Sequence, residues 1–242
     1  MRVTRIYYPG HINKDETLTL PATASHHLIR VLRYRKNAVV TLFNGEGGEY
    51  SAALLDENPT ATKLGIQQYI DIHRESPLKI KLFQGISRGD HMDTTIQKTT
   101  ELGITEIVPV ICQRSARTTR DRIDKKLGRW RQIAISACEQ SGRNRLPVVH
   151  EAATFDQAIS HDTSACKLVL DPAATDSIKV IAQQAGPVSV LCGPEGGLSG
   201  REIEAACKAG FRRITFGPRI LRTETAGPSI VTALQLFWGD MG

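Results

Sequence analysis

Apolar runs are spaced in two different ways along this chain, and the change comes at "HRESPLK", residues 73–79. Before it the runs are short and follow one another directly. Val3–Tyr8, Thr17–Leu20, Ala38–Phe43, Tyr50–Leu55 and Leu64–Ile72 read as strands, with one short helix over Ser25–Leu32. "NGEGGEY" between the third and fourth strands is a hairpin signal, Asn44-Gly45 supplying the positive φ angles of a tight turn. This pattern predicts a compact β-barrel module over 1–73. After Pro77 apolar runs alternate with helical segments: "KIKLFQG", a helix in "MDTTIQKTTELG", "EIVPVIC", a long helix over about Asp124–Ser141, "CKLVLD", a helix over Asp176–Gln184, "VSVLC", a helix at 200–209, "RRITF" and a last helix ending near Trp238. Near-continuous hydrophobic strands alternating with helices predict an α/β domain over 74–242, its parallel sheet covered on both faces.

Composition narrows the class. With 242 residues, 40% of them hydrophobic, the chain can bury a real core. No apolar run approaches a membrane span, and the N-terminus starts with charges and no leader-like stretch, so a cytoplasmic protein is expected. Five cysteines without C-x-x-C spacing point to reduced, buried thiols and to no metal. The net charge of +6 is concentrated: between Cys112 and Arg145 ten basic residues face three acidic ones, so the rest of the chain sums to −1. A second focus, "HHLIRVLRYRK" at 26–36, adds Arg30, Arg33, Arg35 and Lys36. Solvated helix faces would explain either focus; two of them in an otherwise balanced chain favour a polyanion, most simply nucleic acid.

Two loops at predicted strand ends carry the candidate chemistry. "LCGPEGGLSGREIE", 191–204, is a glycine-rich strand-to-helix turn with Ser199 and Glu202 at capping-box spacing. Such turns hold phosphates, yet Glu195 would repel them and no Lys-Ser/Thr pair completes a P-loop, so the ligand meeting this turn should be neutral or positive. "FGPRILRTETAGPS", 216–229, sets Arg219, Arg222 and Glu224 beside Ile220 and Leu221, a mixture suited to an amphipathic ligand. Gly227-Pro228 stands where helix formers are expected and leaves the start of the last helix open.

"GPEGGLSGREIE" followed by "FGPRILRTETA", together with "MDTTIQKTTELGITEIVPV" and "SHHLIRVLR", resembles the SPOUT-class methyltransferases that methylate N3 of a uridine in 16S ribosomal RNA of the small subunit. The resemblance implies an N-terminal PUA-like RNA-binding β-barrel, a C-terminal trefoil knot in a SPOUT-type parallel sheet, S-adenosyl-L-methionine (S-adenosylmethionine) as methyl donor, 16S ribosomal RNA or the 30S subunit as partner, and a homodimer. It implies a cofactor pocket of Leu170, Pro172, Leu191, Cys192, Gly193, Pro194, Glu195, Gly196, Gly197, Gly217, Ile220, Leu221, Arg222, Thr223 and Ala226. A sulfonium and an ammonium with no phosphate would be compatible with Glu195.

Uracil N3 is a poor nucleophile until it loses its proton, so such a site needs a base or a cation that stabilises the uracil anion. Arg222 is the candidate for the anion and Glu224 the nearest candidate base; an ion pair within the loop is their plainer reading. Arg5, Arg30, Arg33, Arg114, Arg117, Arg120 and Arg143 are the candidate phosphate contacts. Rival functions are methylation of a ribose hydroxyl or of transfer RNA, and a non-catalytic RNA-binding assembly factor. A nucleotide-dependent enzyme is disfavoured by Glu195.

Overall fold

The computed structural model describes residues 4–115, 120–181 and 185–242, without the side chains of Arg120 and Arg122. The chain forms two compact units, Met1–Glu75 with Cys138–Leu146, and Ser76–Ala137 with Pro147–Gly242.

In the first unit β1 (Arg5–Tyr7), β2 (Thr17–Thr19), α1 (Ala22–His26), β3 (Val39–Phe43), β4 (Glu49–Leu54) and β5 (Lys63–Ile70) form one sheet and its helix, with strand order β1-β3-β4-β5-β2. Hairpin-linked strands pair antiparallel, whereas β1 and β3, separated by the helix, pair parallel. Alternate positions turn inward, Val40 and Leu42, Ala52 and Leu54, Leu64 and Ile66, and close over Leu28. A register shift between Ser51 and Ala52 curls the sheet into a half-barrel. α1 continues into a π-helical turn, His27–Val31, that buries Leu28 and leaves Arg30 exposed. The β3–β4 connection differs from the expected Asn-Gly turn. Asn44 stays out of the left-handed region, its side chain accepting the Glu46 N–H at 3.2 Å, and Gly45, Gly47 and Gly48 take φ of 87°, 112° and 64°.

Polar bonds tie 138–146 into this unit. Glu139 Oε1 accepts the Tyr7 N–H at 2.9 Å, Arg5 pairs with Glu49 and donates to Asn144 Oδ1 at 2.6 Å, and Arg143 pairs with Glu75 at 2.5 Å. Burial raises the Glu139 carboxyl above its ordinary range, against the opposing Tyr7 hydrogen bond.

The second unit runs β6 (Ile80–Gly85), α2 (His91–Glu101), β7 (Glu106–Ile111), α3 (Arg120–Ser141, its last turn in the first unit), β8 (Val148–Val149), β9 (Ala153–Thr154), α4 (Phe155–Ser160), β10 (Cys166–Leu170), β11 (Val188–Cys192), α5 (Gly200–Lys208), β12 (Arg212–Ile214) and α6 (Thr223–Trp238). The strands order as β12-β10-β11-β6-β7-β8, with β9 also on β7, and every pairing is parallel. Adjacent residues face opposite sides. Leu82, Leu168 and Val190 join Ile96, Trp130 and Ile230 in one core, while Phe83, Val169 and Leu191 join Phe155, Ala206 and Phe211 in the other. β8, β9 and α4 were not predicted, although Thr154 and Gln157 cap α4 reciprocally at the spacing that marks a helix start.

The helix expected over Asp176–Gln184 is only a 3₁₀ turn, Ile178–Val180; residues 182–184 lie outside the described residues. Tertiary bonds capture its start, since Asp176 binds Arg212 at 2.6 Å and accepts the Thr215 N–H at 2.7 Å, and Ser177 bridges to Thr215. α6 begins at Thr223, which puts Pro228 inside the helix, where it cannot donate to the Glu224 carbonyl. Four cysteines are buried; Cys207, against the expectation, is exposed.

Candidate functional site

The carboxyl ends of β10, β11 and β12 open onto a cavity of about 530 Å³ in the second unit, the end of a parallel sheet at which ligands bind. One wall is the glycine-rich turn. Gly197 (φ 67°) donates its N–H to Pro194 O at 2.8 Å, and the chain then enters α5 through the Ser199–Glu202 capping box. The turn folds so tightly that a Cβ on Gly193 would lie 2.9 Å from Leu198 N. The opposite wall is the 215–222 segment leading into α6. Thr223, the first residue of α6, locks the two walls together: its Oγ1 donates to Gly193 O at 2.9 Å and accepts from Gln84 Nε2, fully buried on β6, at 2.9 Å.

Charges are distributed unevenly around the cavity. Glu195 accepts the Arg88 N–H at 2.6 Å, which ties the turn to the β6–α2 connection, and Arg114 donates to Gly196 O at 3.0 Å. Asp171 is held by Arg213 at 2.8 Å. Glu224 does not pair with Arg222; its carboxylate lies 3.1 Å from His91 Nδ1, at the start of α2. Arg219 and Arg222 line the cavity with no ion-pair partner among the described residues. Burial pushes the Cys192 thiol up to about 12, so it stays a thiol and no nucleophile. Among the described residues no group of three His, Cys, Asp or Glu side chains could hold a metal ion, and no helix is long and apolar enough to cross a membrane.

Of the residues expected at the cofactor pocket, Leu170, Pro172, Cys192 to Gly197, Ile220 to Thr223 and Ala226 line this cavity. Leu191 is instead packed in the core and Gly217 sits outside it in an exposed loop. His91 lines it and was missed; Asp171, beside the expected Pro172, and Phe216, in the 216–229 loop, line it too. His91 follows a strand's carboxyl end, the one sequence signal that could have drawn attention to it. The candidate phosphate contacts separate more sharply. Arg30 and Arg33 are exposed on the first unit. Arg5 and Arg143 are not surface groups: buried against Glu49 and Glu75, neither meets a polyanion without breaking its pair. Arg114 serves the glycine turn, and Arg117 and the Arg120 side chain lie outside the described residues.

The cavity suits a ligand with an apolar or aromatic body and mixed charges. Leu170, Phe216 and Leu221 offer apolar surface, Glu195 and Glu224 oppose a cation, and Arg219 and Arg222 supply positive charge.

Comparison with known proteins bears on the same residues. Residues 74–235 match an RNA methyltransferase domain family and residues 20–65 an RNA methyltransferase PUA domain family. The ribosomal RNA small subunit methyltransferase E of Buchnera aphidicola (subsp. Schizaphis graminum) is 33% identical over 99% of this chain and 98% of its own length. That of Bacillus subtilis is 29% identical over 95% of each. Among solved structures, the ribosomal RNA small subunit methyltransferase E of Neisseria gonorrhoeae, bound to S-adenosylmethionine, is 38% identical with a TM-score of 0.94 over all of both chains. A Legionella pneumophila structure with the same bound cofactor is 36% identical with a TM-score of 0.97, again over both whole chains.

Proposed function

The chain belongs to the ribosomal RNA small subunit methyltransferase E family of RNA methyltransferases, and from that premise we propose that it methylates N3 of one uridine in 16S ribosomal RNA. It is an S-adenosylmethionine-dependent RNA methyltransferase. The observation that carries the reading is the cavity at the carboxyl ends of β10–β12, whose two walls are joined by Thr223 and Gly193 and whose cations Arg219 and Arg222 have no ion-pair partner among the described residues.

The cofactor, when bound, supplies an electrophilic methyl on a sulfonium. Leu170, Phe216 and Leu221 would enclose its adenine, and the Gly193–Gly197 turn would bring bare backbone close to it. Arg222, at the mouth of α6, would oppose the negative charge that develops on the uracil carbonyl oxygens as N3 loses its proton. A cation facing the developing anion acts mainly in the transition state, so its removal should slow turnover more than it weakens cofactor binding. Arg30 and Arg33 are exposed cations of the first unit suited to RNA phosphates. The homodimer, the trefoil knot and a cytoplasmic place of work belong to the same proposal. The dimer is supported by Leu236 and Phe237 at the end of α6 and Met241 just beyond it, which stand 51%, 48% and 48% exposed.

The test is incubation with labelled S-adenosylmethionine and either 30S subunits or naked 16S RNA, followed by mass spectrometry of the nucleosides. 3-Methyluridine is expected. 2′-O-methyluridine would reassign the acceptor to ribose, and failure to bind the cofactor in calorimetry would leave a non-catalytic RNA-binding protein.

A further inference from the structure

Resting on the methylation of uracil N3, we propose that His91 is the base that takes the N3 proton, and that Glu224 positions His91. His91 and Glu224 line the cofactor cavity together, with Nδ1 and Oε2 3.1 Å apart. A neutral imidazole has one N–H. When it faces the Glu224 carboxylate, Nδ1 carries the proton and Nε2 is left with its lone pair, the arrangement by which a carboxylate orients a histidine base. The His91 side chain is 38% exposed and that of Glu224 19%, so the imidazole is the more accessible member of the pair.

The pair is held by the core rather than by the loop. His91 is the first residue of α2, whose Met92 and Ile96 are buried, and Glu224 lies in the first turn of α6, whose Ile230 and Leu234 share that core. Gly227 lets the two helices come together. A Cβ there would meet Thr95 Cγ2 on α2 at 3.3 Å and Gln84 Oε1 at 3.2 Å. A glycine in a helix that otherwise needs good formers is thereby accounted for: it sits where α6 crosses α2 and sets the distance at which His91 and Glu224 meet.

Several other charges around the cavity are already engaged. Arg114 binds the Gly196 carbonyl, Glu195 the Arg88 N–H, and Asp171 Arg213. Asp93 on α2 is held by Arg129 at 2.5 Å and Asp90, just before the helix, by the same guanidinium at 3.7 Å. Arg219 and Arg222 remain to face the uracil oxygens. In the reaction the N3–H proton passes to Nε2 of His91, the N3 lone pair forms the new bond to the methyl carbon, and the carbon–sulfur bond breaks with its electrons staying on sulfur. The cofactor's positive charge ends as an imidazolium beside Glu224, which then loses its proton to water.

Single-turnover methylation of the RNA at saturating S-adenosylmethionine, followed across pH, tests this. Wild-type turnover should rise with pH to a plateau. His91→Gln should keep its fold and its cofactor affinity by calorimetry, slow about 100-fold or more on the acidic side, and recover as rising pH ionises uracil N3 directly. Added imidazole should partly rescue His91→Ala, and Glu224→Gln should fall between wild type and His91→Gln. A His91→Gln enzyme that makes 3-methyluridine at the wild-type rate with the wild-type pH profile overturns the base assignment and leaves an α2–α6 tie. Loss of cofactor binding in that variant overturns it in favour of a cofactor contact. Recovery of 2′-O-methyluridine from the wild type would instead overturn the parent reading, and this one with it.

Discussion

Replacing Glu202 with alanine should destabilise the second unit by an amount its hydrogen bonds specify. Its Oε2 accepts the Ser199 N–H at 2.7 Å and the Ser199 hydroxyl at 2.9 Å, and its Oε1 accepts the Gln113 N–H at 2.7 Å. Ser199 is 7% exposed and Glu202 8%. With the carboxylate gone, the hydroxyl can rotate to another acceptor but the buried Ser199 N–H cannot, and an orphaned buried donor costs about 1–3 kcal/mol. Gln113 is exposed, so water replaces its acceptor at a loss of about 0.5–1.5 kcal/mol. The expected total is about 1.5–4.5 kcal/mol, a large part of the roughly 5–15 kcal/mol by which a domain is stable. Glu202→Gln keeps one acceptor and should lose about half as much. Glu204→Ala, an exposed neighbour on the same helix, should stay within about 0.5 kcal/mol of wild type. Urea unfolding reads the difference as a lower midpoint at unchanged slope. A Glu202→Ala midpoint equal to that of Glu204→Ala would refute the reasoning, since it would mean that the strand-to-helix turn and the 112–115 turn do not depend on the carboxylate they share.

Two further outcomes follow from the packing. Gly193→Ala places a Cβ 2.9 Å from Leu198 N and 3.0 Å from Gly197 C, so the turn must open. Calorimetry should show cofactor affinity down about 10- to 100-fold, corresponding to about 1–3 kcal/mol of overpacking. Gly197→Ala meets no neighbour and bears only the roughly 1–2 kcal/mol cost of its left-handed backbone; equal affinities for the two variants would argue against a steric cause. Burial pushes the thiols of Cys112, Cys138 and Cys192 from 9.0 up to about 12. They ionise first in the unfolded chain, so their contribution to stability is intact below pH 9 and is lost as pH rises from about 9 towards 12. Alanine at all three should flatten the fall in urea midpoint over that range; an unchanged slope would show that they do not cause it.

Local chemistry was legible in the sequence. The Ser199–Glu202 box lies within four residues, so the start of α5 is decided there whatever the rest of the chain does. The five strands of the first unit and the helix–strand alternation of the second were visible for the same reason, because side-chain period and burial are coupled over a few residues. The helix expected over Asp176–Gln184 shows the limit of that reasoning: a local pattern lost to bonds made with Arg212 and Thr215, more than thirty residues away. The concentration of charge over 112–145 was likewise read correctly as composition and incompletely as surface. A count of cations cannot see that Arg143 has Glu75 beside it, nor, outside that segment, that Arg5 has Glu49.

By itself, then, the sequence determined the two kinds of module and the glycine-rich turn with its capped helix. Each of these is set by neighbours in the chain, whereas the joining of that turn to the 216–229 loop is made by Thr223 and Gly193, thirty residues apart. Only the tertiary structure decided which partner each charged side chain took: the Arg88 N–H for Glu195, the Gln113 N–H for Glu202, and His91 in place of Arg222 for Glu224. It also brought 138–146 into the first unit. Nothing in the residues around His91 marks it as Glu224's partner. That contact exists because two helices more than a hundred residues apart bury the same core, and because Gly227, lacking a side chain, lets them cross closely enough for the two groups to touch.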